Sequence, residues 1–200
     1  MARAPSFAGV ILAAGESSRM ARDKALLPWQ GGTFLASAIQ SLQPHCDLVI
    51  VVAGANSEAL KPVVFSSGAF MIANPHPERG QFSSLQVGLQ EVLNHGRDAA
   101  IVTLVDRPAA SSATVGELRA RFLEICSSGY WAVVPEHDGK HGHPIVIGRE
   151  MMQAFLKAPA TSTAREVEHG LQKAIAYLPV SDANVTMNVD TPEDYARLQP

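Results

Sequence analysis

Residues 9–24 read G-V-I-L-A-A-G-E-S-S-R-M-A-R-D-K. The stretch opens with an apolar run at residues 10–13 that is closed by Gly15, a pattern typical of a buried central strand. Gly15 allows a ligand to approach the main chain closely. Hydroxyls and cations follow it at Ser17, Ser18, Arg19, Arg22 and Lys24. We therefore expect a strand that ends in a loop suited to a phosphorylated ligand.

This loop differs from the two commonest phosphate-binding loops. No G-K-[ST] follows Gly15 at Walker A spacing, and the dinucleotide fingerprint G-x-G-x-x-G does not occur. A glycine after one strand is also compatible with an ordinary turn between a strand and a helix. If the loop binds phosphate, Arg and Lys side chains must supply much of the binding.

Length and composition predict a single domain, residues 1–200, with a sizeable core, since 46% of the residues are hydrophobic. The net charge of −3 provides no basic field for nucleic acid. There is no run of about 18 apolar residues that would indicate a membrane span. Two separate cysteines, Cys46 and Cys126, are expected to be buried thiols and favour a cytoplasmic location.

Short apolar runs alternate with amphipathic stretches along the chain. Strands are predicted at residues 7–13, 47–53, 69–73 and 98–105, followed by a strand pair at 130–135 and 144–147. Helices are predicted at residues 33–42, 56–65, 80–93 and 114–126, with a kink or early end at Pro62. This alternation indicates an α/β, Rossmann-like fold with a mainly parallel sheet and helices on both faces.

Three polar segments, at residues 13–24, 74–84 and 106–108, follow predicted strands. In sheets of this kind ligands bind at that edge. Asp106 offers the hard oxygen ligands that Mg²⁺ prefers, although from this segment alone a capping or turn role before Pro108 is the simpler interpretation. Zinc is not expected at the histidines of residues 137–143, because no cysteine or fourth ligand is nearby.

Residues 12–28, L-A-A-G-E-S-S-R-M-A-R-D-K-A-L-L-P, resemble the signature L-A-A-G-x-S-x-R-M-G-x-x-K-x-L-L-P of the MobA-like nucleotidyltransferases. In this form the signature is that of molybdenum cofactor cytidylyltransferases. Ala21 departs from it, since glycine is usual there. Further motifs of the family match at N-P-x-x-x-x-G-x-x-S-S-L (74–85), D-x-P (106–108), G-H-P (142–144) and N-x-D-T-P-E-D (188–194).

The resemblance implies a nucleotide-diphospho-sugar transferase-like fold and assigns roles to particular residues. Arg19, Lys24, Asp106 and Asp190 would be catalytic, with both aspartates binding one Mg²⁺. The nucleotide would contact Leu12, Ala13, Ala14, Gly15, Ser17, Arg19, Lys24, Gly80 and Ser84. The acceptor would contact Gly142, His143 and Pro144.

Two further positions depart from the family pattern. Arg107 stands where glutamine or methionine is usual, and its purpose is not evident from the sequence. A-T-S-T-A-R at residues 160–165 replaces the usual G-D-x-G-A-R. Thr163 and Glu166 instead predict a helix that starts with a capping box.

The resemblance implies transfer of CMP from CTP to a phosphorylated pterin, molybdopterin carrying molybdenum, with release of pyrophosphate. Ala14 favours CTP, because similar guanylyltransferases usually have a second glycine there and a methyl group would crowd a purine. A molybdoenzyme is a possible partner. Two alternatives stay open: a nucleotidyltransferase for a sugar phosphate or another phosphorylated acceptor, and a non-catalytic nucleotide-binding module or molybdoenzyme chaperone.

Overall fold

The computed structural model describes residues 4–15 and 23–198. The strands in these residues are β1 (Phe7–Ala13), β2 (Pro28–Trp29), β3 (Gly32–Thr33), β4 (Leu48–Ala53), β5 (Phe70–Ala73), β6 (Ala99–Leu104), β7 (Ala132–His137), β8 (Lys140–His141), β9 (Ile145–Gly148) and β10 (Ile175–Pro179). The helices are α1 (Phe34–Leu42), α2 (Ser57–Ser66), α3 (Gln81–Asn94), α4 (Ser112–Ile125), α5 (Arg149–Lys157), α6 (Ala164–Gly170) and α7 (Pro192–Leu198).

One large sheet has the strand order β10-β7-β9-β6-β1-β4-β5, and β8 pairs with β7 outside this path. The neighbours β6-β1-β4-β5 are parallel to one another, and β10 is parallel to β7. β9 runs antiparallel to both β6 and β7. The loop that precedes β9 therefore lies at the same edge as the loops that follow β1 and β6.

β1 is an interior strand between β6 and β4, and every residue in it is buried. Its side chains alternate between two apolar cores. Phe7, Ile11 and Ala13 belong to the core that includes α1, α2 and α4. The second core contains Val10 and Leu12 with residues of α3 and α5. An apolar run buried on both faces is what the sequence of β1 predicts, because helices cover both sides of a parallel sheet.

The predicted α/β fold with a mainly parallel sheet is confirmed, and each predicted strand and helix is present within a few residues of its expected bounds. Of the kink or early end expected at Pro62, the early end is wrong, because α2 continues to Ser66. Leu60 and Val64 flank this proline and are fully buried, so their packing offsets the hydrogen bond that proline lacks.

Some elements were not expected from the sequence: the β2–β3 hairpin, α5 and the edge strand β10. The two cysteines are free but half-buried, so the expectation of buried thiols is wrong in degree. The capping box is confirmed, because Thr163 Oγ1 accepts from the Glu166 N–H while the Glu166 carboxylate accepts from the Thr163 N–H. None of the helices within the described residues combines the length and apolarity needed to cross a membrane.

Candidate active site

Two adjoining cavities open at the sheet edge where β1 and β6 end. The smaller has a volume of about 600 Å³ and is lined by the segment after β1, the turn that carries Lys24, and Asp106. The larger, of about 930 Å³, is lined by the start of α3, the segment before β9 and residues 160–172. Leu12, Gly80, Gln81 and Leu104 line both cavities. Two ligands bound there would contact a common wall.

The end of β1 and the turn that carries Lys24 are joined by Asn56. Its side-chain amide donates to the Ala13 carbonyl at 2.9 Å and to Asp23 Oδ2 at 2.6 Å, while its Oδ1 accepts from the Gly54 N–H. The other carboxylate oxygen of Asp23 accepts from the Ala25 N–H and caps the short 3-10 turn that begins at Lys24. Asn56 thus holds Ala13, at the end of β1, beside Asp23, a role that no sequence motif indicated.

The structure brings Lys24, Asp106 and Asp190 to one region. The Lys24 ammonium lies 2.9 Å from Asp190 Oδ1, and its side chain is only 15% exposed. The Val189 N–H donates to the main-chain carbonyl of Asp106 at 2.9 Å, so the residue before Asp190 is hydrogen-bonded beside the end of β6. The Lys24 side chain is therefore both paired with Asp190 and mostly buried.

Arg107 is buried beside Asp106. Its Nε donates to Asp106 Oδ1 at 3.3 Å, and its Nη1 donates to the Val185 carbonyl at 3.4 Å. These bonds tie the end of β6 to the chain segment that leads to Asp190. Arg107, which the family pattern left unexplained, therefore orients one carboxylate of the site and anchors the C-terminal segment.

The carboxylates of Asp106 and Asp190 are the groups at this edge that could hold a metal ion. Within residues 4–15 and 23–198, no cluster of three or more His, Cys, Asp or Glu side chains is arranged to enclose a metal. Each of the two carboxylates has one oxygen paired with a cation, and the structure gives the second oxygen no partner among the described residues. Two carboxylates completed by phosphate oxygens suit Mg²⁺, so the residues present fit that ion.

The segment at residues 142–144 packs against the same C-terminal segment. The Gly142 N–H donates to the Pro135 carbonyl and the His143 N–H to the Val185 carbonyl, both at 2.9 Å. Gly142 and His143 line the larger cavity. Burial, together with the nearby Arg107 guanidinium, lowers the pKa of the His143 imidazole to about 3. His143 is therefore neutral at physiological pH and can both donate and accept a hydrogen bond.

At the start of α3, Gly80 adopts a φ of +86° that favours glycine. Ser83 Oγ donates locally to the Gly80 carbonyl, while Ser84 lines the smaller cavity and accepts from the Asn74 side chain. Ser83 is thus the serine with the local structural role. Ser84 remains a candidate for ligand contact because its hydroxyl proton can still be donated to a ligand.

Not every predicted site residue lines a cavity. Leu12, Ala14, Gly15 and Lys24 do. Ala13 does not, because its side chain belongs to the core and its carbonyl is bound by Asn56. Pro144, which is buried, and Asp190, which is partly exposed, also line neither cavity. Ser17 and Arg19 lie outside the described residues.

Comparison with known proteins places this geometry in a family. The model of the MobA-like NTP transferase domain matches residues 9–174. The chain is 28% identical to the molybdenum cofactor cytidylyltransferase of Escherichia coli K12, with 93% of this chain and 92% of that protein aligned. It is 31% identical to the nicotine blue oxidoreductase of Paenarthrobacter nicotinovorans, with 97% of each chain aligned. It is also 31% identical to the molybdenum cofactor guanylyltransferase of Xanthomonas euvesicatoria, over 95% of this chain and 93% of that one.

Among solved structures, Rv0371c of Mycobacterium tuberculosis H37Rv superposes with a TM-score of 0.81 at 27% identity, covering 98% of each chain. The expected nucleotide-diphospho-sugar transferase-like fold is confirmed by this likeness. The family model covers residues 13–24, the start of α3, Asp106 and the segment before β9. The chain therefore belongs to the MobA-like NTP transferase domain family and is a nucleotidyltransferase of that family.

Proposed function

We propose that the chain, as a single domain of residues 1–200, transfers CMP from CTP to a phosphorylated pterin acceptor of the molybdopterin type. An oxygen of the acceptor phosphate forms a bond to the α-phosphorus of CTP. The bond from that phosphorus to the oxygen bridging it to the β-phosphate breaks, and pyrophosphate leaves. The observation that carries the proposal is the pair of adjoining cavities, with Lys24 and Asp106 on the wall of the smaller one.

The smaller cavity suits the nucleoside triphosphate. Its wall includes Ala14, Gly15 and Lys24, so main-chain N–H groups and a cation would be available to phosphate oxygens there. Lys24 would bind phosphate oxygens and stabilise the charge that develops as pyrophosphate leaves. Arg19 would add a second cation from the same stretch of sequence. Catalysis of this kind depends mainly on position and charge.

Asp106 and Asp190 would hold Mg²⁺, and the bound ion would neutralise phosphate charge. Arg107 keeps the Asp106 carboxylate oriented, and Lys24 keeps Asp190 in place. These two aspartates come from distant parts of the sequence, and their segments are held side by side by the Val189–Asp106 main-chain hydrogen bond and by the bond from Arg107 to the Val185 carbonyl. Both positions match the acidic residues of the family motifs.

CTP is preferred over GTP in this proposal because of Ala14. Both the backbone and the methyl group of Ala14 lie close to Gly54, since a Cβ added to that glycine would be 2.8 Å from the Ala14 carbonyl oxygen and 3.3 Å from the Ala14 Cβ. With so little space behind it, the Ala14 backbone has little freedom to retreat from a larger base. The relatives named above include both a cytidylyltransferase and a guanylyltransferase, so this preference is a proposal about this chain.

The larger cavity would receive the acceptor. Gly142 and His143 form part of its wall, and His143, kept neutral by burial, can hydrogen-bond either donors or acceptors of the ligand. The product would pass to a molybdoenzyme, the partner that this reaction implies. A cytoplasmic location is consistent with two free cysteines.

The test is pyrophosphate release with each of the four ribonucleoside triphosphates, with and without a molybdopterin acceptor, in the presence of Mg²⁺. We expect release that requires both CTP and the molybdopterin. Asp106→Asn is the inactive control, and Glu117→Gln, on the exposed face of α4, is the matched control for loss of one carboxylate charge. If a sugar phosphate supports release in place of molybdopterin, the acceptor named in this proposal is wrong. If nucleotide binds but no combination releases pyrophosphate, the protein is a nucleotide-binding module and the proposed activity is refuted.

A further inference from the structure

The larger cavity contains one acidic side chain among the described residues that line it. This is Glu168 of α6, and its carboxylate is half-buried. The structure gives it neither a hydrogen bond nor an ion pair with any residue in 4–15 or 23–198. Its neighbours in sequence on the cavity wall, Arg165 and His169, do not pair with it. Glu168 is therefore an acceptor of hydrogen bonds that the protein itself leaves unused.

A half-buried carboxylate without donors is unfavourable, because it loses hydration and gains no protein contact in return. Burial raises the pKa of Glu168 for this reason. Groups of this kind concentrate at ligand sites, where the ligand provides the missing partner. The capping box at Thr163 and Glu166 accounts for the start of α6 but does not involve Glu168. The position of Glu168 is thus explained more readily by a ligand than by the helix.

Two other walls of the cavity limit the kind of ligand. The rings of His141 and Tyr177 stack with centroids 3.9 Å apart and planes 11° from parallel, and both residues line the cavity. They form a stacked pair, called the His141–Tyr177 wall below, and a further planar ring can stack only on an outer face of this pair. Cations also line the cavity, from Arg79, Lys140 and Arg165, and all three are exposed. A planar ligand with N–H donors on one edge and an anionic group elsewhere matches these three features together.

We propose that Glu168 is a specificity-determining residue that recognises the heterocycle of the acceptor. Its carboxylate accepts two parallel N–H bonds from the 2-amino-4-oxopyrimidine edge of a pterin, and the His141–Tyr177 wall stacks on the ring face. The ring nitrogen and the 2-amino group present two donors side by side, which is the geometry that a carboxylate accepts best. This inference rests on the proposed function for the nature of the acceptor.

The test compares two probes that differ at that edge. One is 6-hydroxymethylpterin phosphate, and the other is the corresponding lumazine phosphate, in which an oxygen replaces the 2-amino group. Binding is measured by quenching of probe fluorescence, without nucleotide. We expect the wild-type protein to bind the pterin at least tenfold more tightly, because a carboxylate facing the lumazine oxygen lacks one of its two donors.

Glu168→Gln should weaken pterin binding by roughly 10- to 100-fold, because the charged acceptor is lost. It should also reduce the preference for pterin over lumazine to about threefold or less. Tyr177→Ser, which breaks up the stacked pair, should weaken both probes alike and leave the preference intact. Glu117→Gln, outside both cavities, should change neither. CTP binding and melting temperature are measured for all three variants.

The outcomes separate this inference from the proposed function. If the wild-type protein releases pyrophosphate with CTP and molybdopterin but Glu168→Gln keeps its affinity and its preference for pterin, the role of Glu168 is refuted and the function stands. If no pterin acceptor supports release, the proposed function fails. A Glu168→Gln protein that loses CTP binding and thermal stability along with pterin binding would make Glu168 a structural residue, which also refutes the inference.

Discussion

Replacing Gly142 by alanine tests the contact on which the geometry of the site depends. A Cβ at this position would lie 2.0 Å from the Val185 carbonyl oxygen and 2.5 Å from its carbonyl carbon. Both are backbone atoms, so the clash cannot be relieved by rotating a side chain. Either residue 142 or the segment around Val185 has to move.

The cost can be estimated from the bonds at stake. The Gly142–Pro135 and His143–Val185 main-chain hydrogen bonds would lengthen or break, at about 1 kcal/mol each. Steric strain at a packed position adds about 1–3 kcal/mol. The sum of about 3–5 kcal/mol corresponds to a fall in melting temperature of about 6–20 °C for a chain of this size. Turnover should fall as well, because Val185 also binds Arg107, which orients Asp106.

Thermal unfolding followed by circular dichroism measures the first effect, and pyrophosphate release well below the melting temperature measures the second. Gly170→Ala is the matched control, because a Cβ there meets no atom within 4 Å. We expect its melting temperature to stay within about 2 °C of the wild type. A Gly142→Ala protein that is as stable and as active as Gly170→Ala would refute the proposed coupling between residue 142 and the C-terminal segment.

Four further predictions concern the site. Lys24→Ala should lower turnover roughly a hundredfold in single-turnover assays, and normal turnover with a lowered melting temperature would make Lys24 structural. Ala14→Gly should relax the preference for CTP over GTP by about fivefold in kcat/KM, or about 1 kcal/mol, whereas a wild-type preference for GTP would contradict this reasoning. Asp106→Asn and Asp190→Asn should each abolish most turnover and weaken Mn²⁺ binding, which calorimetry measures. The double variant should be little worse than either single variant, because both substitutions dismantle one site. Substantial turnover in the double variant would exclude the shared role. Burial lowers the pKa of His143, so below about pH 6.5 the unfolded chain binds a proton that the folded chain does not. The free energy of unfolding should therefore fall by about 2 kcal/mol between pH 7.5 and pH 5. Urea titrations of His143→Gln should show a smaller fall, and an equal fall would mean that other groups cause it.

Much of the fold could be predicted because the apolar runs of a parallel sheet are buried on both faces and stand out in the sequence. The direction of β9 could not, because an apolar run such as Ile145–Gly148 has the same pattern whether its neighbours run parallel or antiparallel to it. The edge strand β10 was missed for a related reason, since its alternating exposure leaves it without a continuous apolar run.

The site shows a similar division between what the sequence reveals and what it does not. Lys24, Asp106 and Asp190 lie in motifs, and the structure brings their segments together. Asn56 and Glu168 lie in no motif, because their roles depend on which distant groups the fold places beside them. Contributions from Ser17 and Arg19 stay predictions.

The wall that the two cavities share has a thermodynamic consequence. Residues such as Gln81 and Leu104 line both cavities, so a ligand that shifts them in one cavity changes the affinity of the other cavity for its ligand. Linkage then requires reciprocity: the factor by which bound nucleotide changes the affinity for the acceptor equals the factor by which bound acceptor changes the affinity for nucleotide. If nucleotide and acceptor bind in these two cavities as proposed, either would act as an effector of the other without a third site.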